Sequence, residues 1–127
     1  MSEQMTDNFI EALRIVEEKR DVEPLAALYS ETAKVGNVIA SDQFTGQQGA
    51  RNFWTEYRGT FETAKSSFRN VIIGDERAAL EWSTAGISFE GKTFQYSGVT
   101  LLEFEGDQIS RSIAYFDPAA LGRQIQE

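Results

Sequence analysis

Two absences decide which side chains of this chain could do chemistry. Its 127 residues include no Cys and no His. That excludes thiol nucleophiles, disulfides and redox pairs. It also excludes Cys/His zinc centres and a Ser-His-Asp triad. Proton transfer would fall to Asp, Glu, Lys or Tyr. A metal would need oxygen ligands, and no run resembles a calcium loop. Gly46-x-x-Gly49 is too short for a phosphate loop and no Lys follows it. No metal and no cofactor are expected. The first carboxylate to invite a catalytic role is Asp117, at the end of Tyr115-Phe116-Asp117-Pro118. The Pro behind it reads as the first residue of a helix, which makes Asp117 an N-cap.

The elements that must position any site follow from periodicity. Thr6 or Asp7 can cap a first helix with an apolar stripe of Phe9, Ile10, Leu13 and Val16. Asp21 is a second cap candidate, with Pro24 in the first turn after it. Leu25, Leu28 and Tyr29 would give that helix its buried face. From Ala33 to Ala40 the pattern turns β-like, and a short extended piece around Gln43-Phe44-Thr45 ends at Gly46. A third helix carries Phe53, Trp54, Tyr57 and Phe61 on one side, as core or as pocket lining. Strands Ser66–Ile73, Arg77–Phe89, Lys92–Phe104 and Ile109–Phe116 follow, separated by Gly74-Asp75, Glu90-Gly91 and Gly106-Asp107, which are hairpin signals. A short helix, Ala119–Ile125, closes the chain. Helices grouped before an antiparallel sheet indicate an α+β domain, and residues 1–127 read as one such domain.

Composition bounds the partners. Net charge is −8, which opposes nucleic-acid backbones and anionic membranes. The sequence has no apolar run of membrane-spanning length, and its polar, acidic start is unlike a signal peptide. A soluble, cytoplasmic protein is expected.

The order of these pieces resembles the NTF2-like superfamily, within it the SnoaL-like and ketosteroid-isomerase-like groups. The residues that carry the likeness are Asp21-Val22-Glu23-Pro24-Leu25-x-x-Leu28-Tyr29, Ala33-Lys34-Val35, Phe44-Thr45-Gly46, Phe104-x-Gly106-Asp107-x-Ile109 and Tyr115-Phe116-Asp117. The resemblance implies a cone: N-terminal helices packed on a curved antiparallel sheet around a deep apolar pocket. It does not name a reaction. The position matching the steroid-isomerase base is Asn37, which cannot take a proton, and the oxyanion donors match Leu13 and Thr100. Tyr29 matches a supporting tyrosine, and Trp54 stands where another would be. The Arg and two Asp of the epoxide-hydrolase branch match Glu81, Ser83 and Ala114. Asn37 matches a water-positioning asparagine there, while that asparagine's tyrosine partner matches Val35. Both comparisons argue against those two reactions.

Taken with period-two alternation, the same comparisons give an inward set: Val35, Asn37 and Ile39; Glu81, Ser83, Ala85 and Ile87; Tyr96, Gly98, Thr100 and Leu102; Ser110, Ser112, Ala114 and Phe116. Such a lining suits a small hydrophobic molecule held by a few polar contacts. Glu81 is the candidate acid–base group, paired in the alternative with an Arg or Lys or lying in water. The candidate ligand contacts are Tyr29, Asn37, Trp54, Tyr57, Ser83, Tyr96, Thr100, Ser112 and Phe116. Isomerase, cyclase or hydrolase chemistry on a small hydrophobic substrate is one expectation; a non-catalytic ligand-binding or interaction module is the other. Trp82, Val99, Leu101, Ile113 and Tyr115 take the outward parity, an apolar face that a homodimer would cover.

Overall fold

The computed structural model describes residues 1–40 and 44–126. The extended piece expected at Gln43 lies outside the described residues in that position. Two helices come first, α1 (Ser2–Lys19) and α2 (Glu23–Ala26). Strand β1 (Tyr29–Asn37), the short β2 (Phe44–Thr45) and helix α3 (Gly46–Gly59) follow. Then come β3 (Thr63–Gly74), β4 (Arg77–Ile87), β5 (Thr93–Glu105), β6 (Gln108–Phe116) and α4 (Pro118–Gln126).

The six strands form one sheet in the order β2-β1-β6-β5-β4-β3. It is curved and not closed. The meander β3 to β6 is antiparallel, as the hairpin signals require, but β1 lies parallel to β6. The sheet is therefore mixed rather than wholly antiparallel. The parallel pair follows from the chain returning through α3 before the meander is laid down.

Local signals explain most elements, and corrections are confined to ends. Helix α1 begins four residues before the Thr6 cap expected from sequence. Thr6 instead lies inside it, fully buried, its hydroxyl donating to the Ser2 carbonyl at 2.7 Å. The helix stops at Arg20, which takes a left-handed conformation with φ 59°. Asp117 Oδ1 accepts from the Ala119 backbone N–H and caps α4. Asp21, the second expected cap, stands one residue too early: Val22 is the N-cap of α2, and Asp21 Oδ1 accepts from the Glu23 backbone N–H in a turn that leads into it. Tyr29 opens β1 rather than closing α2. Phe61 lies just past α3.

The apolar stripe of α1 and one face of α3 pack onto the sheet to form the larger core, with Phe9, Val16, Leu25, Tyr29, Val35 and Leu80 among its least exposed members. A second cluster joins Phe61, Trp82, Phe94 and Tyr96 to Phe116 and to Leu121 and Ile125 of α4. The candidate site lies where the two clusters meet.

Candidate functional site

The face that looks into the cone is set by register. Trp82 opposes Gly98, Leu80 opposes Thr100 and Thr84 opposes Tyr96. Thr100 in turn opposes Ala114, and Gly98 opposes Phe116. Directly paired residues share a face, so the inward residues of β4 are Ala78, Leu80, Trp82 and Thr84. The inward set expected on β4, Glu81, Ser83, Ala85 and Ile87, is thus one residue out of phase and points outward. Burying Leu80 and Trp82 outweighs any gain from turning Glu81 inward, since an apolar side chain contributes about 1.5–3 kcal/mol on burial. Trp82, expected outside, is inside. Ser110 is also displaced. Glu103 pairs with Arg111 and Phe104 with Ile109, so Ser110 is the extra residue of a bulge and Ile109 takes the buried place.

Two adjoining cavities open on this face. The inner one has a volume of about 70 Å³ and reaches from Leu13 and Ser66 at its closed end to Asn37 and Phe116. The outer one, about 230 Å³, runs on past Phe61, Glu56 and Thr60 to Leu121 of α4. They share Asn37, Phe53, Tyr57, Tyr96 and Phe116, so they form a chamber and its vestibule. Aromatic rings make most of the wall, meeting mainly edge to face: Trp54 and Tyr57 lie 5.4 Å apart between centroids, Trp82 and Tyr96 5.2 Å, Tyr96 and Phe116 5.4 Å. Gly98 makes this possible. A Cβ there would lie 2.7 Å from the Trp82 ring and 2.3 Å from the Tyr115 carbonyl oxygen.

Six of the ten candidate residues line the chamber: Asn37, Trp54, Tyr57, Tyr96, Thr100 and Phe116. Tyr29 and Ser112 stand behind its wall. They share a 2.7 Å hydrogen bond, and Trp54 Nε1 donates to the Tyr29 hydroxyl at 3.2 Å. Burial pushes the Tyr29 phenol up to about 12, against the lowering pull of those two bonds. Ser83 and Glu81 lie on the outer face. Glu81 accepts from Asn70 Nδ2 at 2.6 Å and sits 3.9 Å from Arg69 Nε, its side chain 43% exposed. It is a surface carboxylate with a cationic neighbour, away from the chamber.

The polar groups within reach of the chamber form two sets. Thr100 Oγ1 accepts from Trp82 Nε1 at 2.9 Å. Asn37 Oδ1 accepts from the backbone N–H groups of Ile39 and Ala40, both at 2.9 Å, so its amide serves the turn and the chamber wall together. At the closed end stands a group the sequence reading did not single out. Glu17, 6% exposed, accepts from the Tyr57 hydroxyl at 2.7 Å, the Ser66 backbone N–H at 2.8 Å and the Ser66 hydroxyl at 2.5 Å. Among the described residues no Lys or Arg lies within 4.0 Å of its carboxylate; Arg58 is spent on the backbone carbonyls of Glu17, Phe61 and Glu62. Glu17 falls four residues after Leu13, on the buried stripe of α1, which was the available signal. Arg14 at i−3 binds Glu11 and Glu18 instead.

Burial raises the phenols of Tyr57 and Tyr96 well above their ordinary range, and the charge of Glu17 raises both further. Both therefore remain protonated at neutral pH. Tyr96 has no hydrogen-bond partner among the described residues and can donate to a ligand. Among those residues no three acidic side chains gather as a metal would need. No helix among them is long and apolar enough to cross a membrane.

No curated protein matches the chain by sequence. Solved structures do match over nearly the whole length. An NTF2-like protein from Anabaena variabilis superposes with a TM-score of 0.83 at 16% identity, covering 94% of this chain and 92% of that one. A protein of ketosteroid isomerase-like fold from Catenulispora acidiphila, in complex with trimethylamine, gives 0.80 at 14%, covering 93% and 92%. TerC, co-crystallised with polyporic acid, gives 0.80 at 16%, covering 97% and 99%. At these identities the likeness is one of fold. The model of the SnoaL-like domain matches residues 7–112, most of the helices and sheet that build the chamber, and the chain belongs to that family.

Proposed function

We propose that the chamber and vestibule bind a small, mostly apolar molecule, and that this binding is what the chain does. The observation that carries the reading is a pair of adjoining spaces that share lining residues, walled by Phe53, Trp54, Tyr57, Trp82, Tyr96 and Phe116 with few polar groups. Pockets of this make-up, apolar with a few placed polar atoms, are the usual form of small-molecule sites. Of two structures of similar fold, one is in complex with trimethylamine and the other was co-crystallised with polyporic acid.

Glu81 has no part in this proposal, because it faces the other side of the sheet. The positions that the resemblance matches to acid–base groups hold Asn37, Leu13, Thr100 and Ala114, all of which line the chamber. Binding, rather than steroid-isomerase or epoxide-hydrolase turnover, is the function these residues support. We further propose a homodimer through the outer sheet face, where Ile72, Leu101, Val99 and Tyr115 form an apolar row; Ile72 is 67% exposed and Tyr115 43%.

The test is a fragment titration followed by tryptophan emission, with an Ala114→Leu variant as control. Ala114 lines the chamber, and the larger side chain fills it. Saturable binding that Ala114→Leu abolishes supports the reading; binding unchanged in that variant overturns it.

A further inference from the structure

We infer that the molecule held in the chamber carries a small alkylammonium head group, an inference that rests on the binding reading above. Three observations converge. The first is the aromatic wall. Six rings surround the inner space, and the electron-rich faces of Trp and Tyr attract a desolvated cation.

The second is the direction of the hydrogen bonds at the closed end. The single hydroxyl proton of Ser66 goes to Glu17, so in the 2.7 Å bond between Ser66 and Thr84 it is Thr84 that donates. The Tyr57 proton also goes to Glu17. Thr84, Ser66 and Tyr57 thus have their protons drawn toward one buried carboxylate, and all three line the chamber. What their oxygens offer the chamber is lone pairs. Acceptors polarised by an anion at this end of the chamber favour a ligand group that brings positive charge there.

The third is the make-up of the charged groups around the space. Among the described residues neither cavity is lined by Lys or Arg, and the vestibule carries Glu56. A carboxylate or phosphate ligand would meet no cation on these walls, and Glu17 would stand behind the Ser66 and Tyr57 it touched. An alkylammonium head would lie one side-chain layer from the Glu17 carboxylate, which no Lys or Arg among the described residues pairs directly. The inner space suits a head of this size: about 10–15 Å³ by this measure holds one water, so about 70 Å³ takes a group of a few non-hydrogen atoms. The remainder of the ligand would run into the vestibule.

The test compares choline with 3,3-dimethylbutan-1-ol, which share a shape and differ in charge, by calorimetric titration of the whole chain. Choline is expected to bind at least tenfold more tightly. Glu17→Gln, which keeps the side-chain shape, is expected to remove that difference while leaving the neutral alcohol within twofold. Should that variant not fold, Thr84→Val removes one acceptor oxygen and is expected to weaken choline alone several-fold. Equal affinities on the unaltered chain, or tighter binding of the alcohol, overturn the inference and leave the small-molecule reading standing. Binding of neither compound also overturns it; the fragment titration with Ala114→Leu then decides the broader reading independently.

Discussion

Replacing Gly98 with Ala tests the packing that keeps the chamber open. The structure sets the size of the effect. The new Cβ would stand 2.3 Å from the Tyr115 carbonyl oxygen and 2.7 and 2.9 Å from two atoms of the Trp82 ring, where ordinary contact begins near 3.4 Å. The carbonyl belongs to the backbone of β6, next to the rung that pairs Gly98 with Phe116, so no side-chain rotation relieves that clash. Either β5 and β6 part by about an ångström, or the residue strains in place. Overpacking of this kind costs about 1–3 kcal/mol. The Trp82 ring must also move, and the space open to it is the chamber. Urea unfolding should therefore show a stability loss of about 1–3 kcal/mol with an unchanged slope, and chamber ligands should bind at least tenfold more weakly. A Gly98→Ala protein within 0.5 kcal/mol of the parent, with unaltered ligand affinity, would refute the reasoning.

Two further outcomes are expected. The Tyr29 phenol is raised from 10.0 to about 12, so the folded state keeps a proton that the unfolded chain loses above pH 10. Its stabilising contribution is complete below pH 10 and is lost as pH climbs to 12, a fall of about 3 kcal/mol at 1.36 kcal/mol per unit. Urea midpoints measured from pH 9 to 12 should drop accordingly, more gently in Tyr29→Phe; a flat profile to pH 12 would contradict the burial argument. Leu101→Lys, on the outer sheet face, should convert a dimer of the parent chain into monomers in sedimentation. A parent chain that sediments as a monomer would count against that interface.

The fold was readable because its signals are local. Hairpin turns, the Asp117-Pro118 cap and the aromatic spacing in α3 each act over a few residues, and together they fix the element order. The site was readable only in part, because it depends on phase. On β4, Ala78, Leu80 and Trp82 alternate with Arg77, Glu81 and Ser83, and that alternation alone gives the observed face. The family comparison placed Glu81 at a catalytic position and so moved the strand by one residue. Parity on β5 was right, yet even and odd residues of a hairpin whose paired numbers always sum to an even value cannot share a face. Ser110 failed for a different reason: a bulge changes parity without marking the sequence. Glu17 was missed because a Glu between two arginines reads as surface, and only the partners in α3 and β3 show that it is buried.

The central claim is that small molecules bind in this chamber, and the chain's two tryptophans make it directly testable. Trp54 and Trp82 are the only ones in the sequence, and both line the space. The decisive measurement is a ligand titration followed by tryptophan emission in Trp54→Phe and Trp82→Phe proteins, each reporting through the one ring that remains. The account predicts a saturable change in both, with the same midpoint as heat measured by calorimetry. Calorimetric binding that leaves both emissions unchanged would place the ligand elsewhere and contradict it.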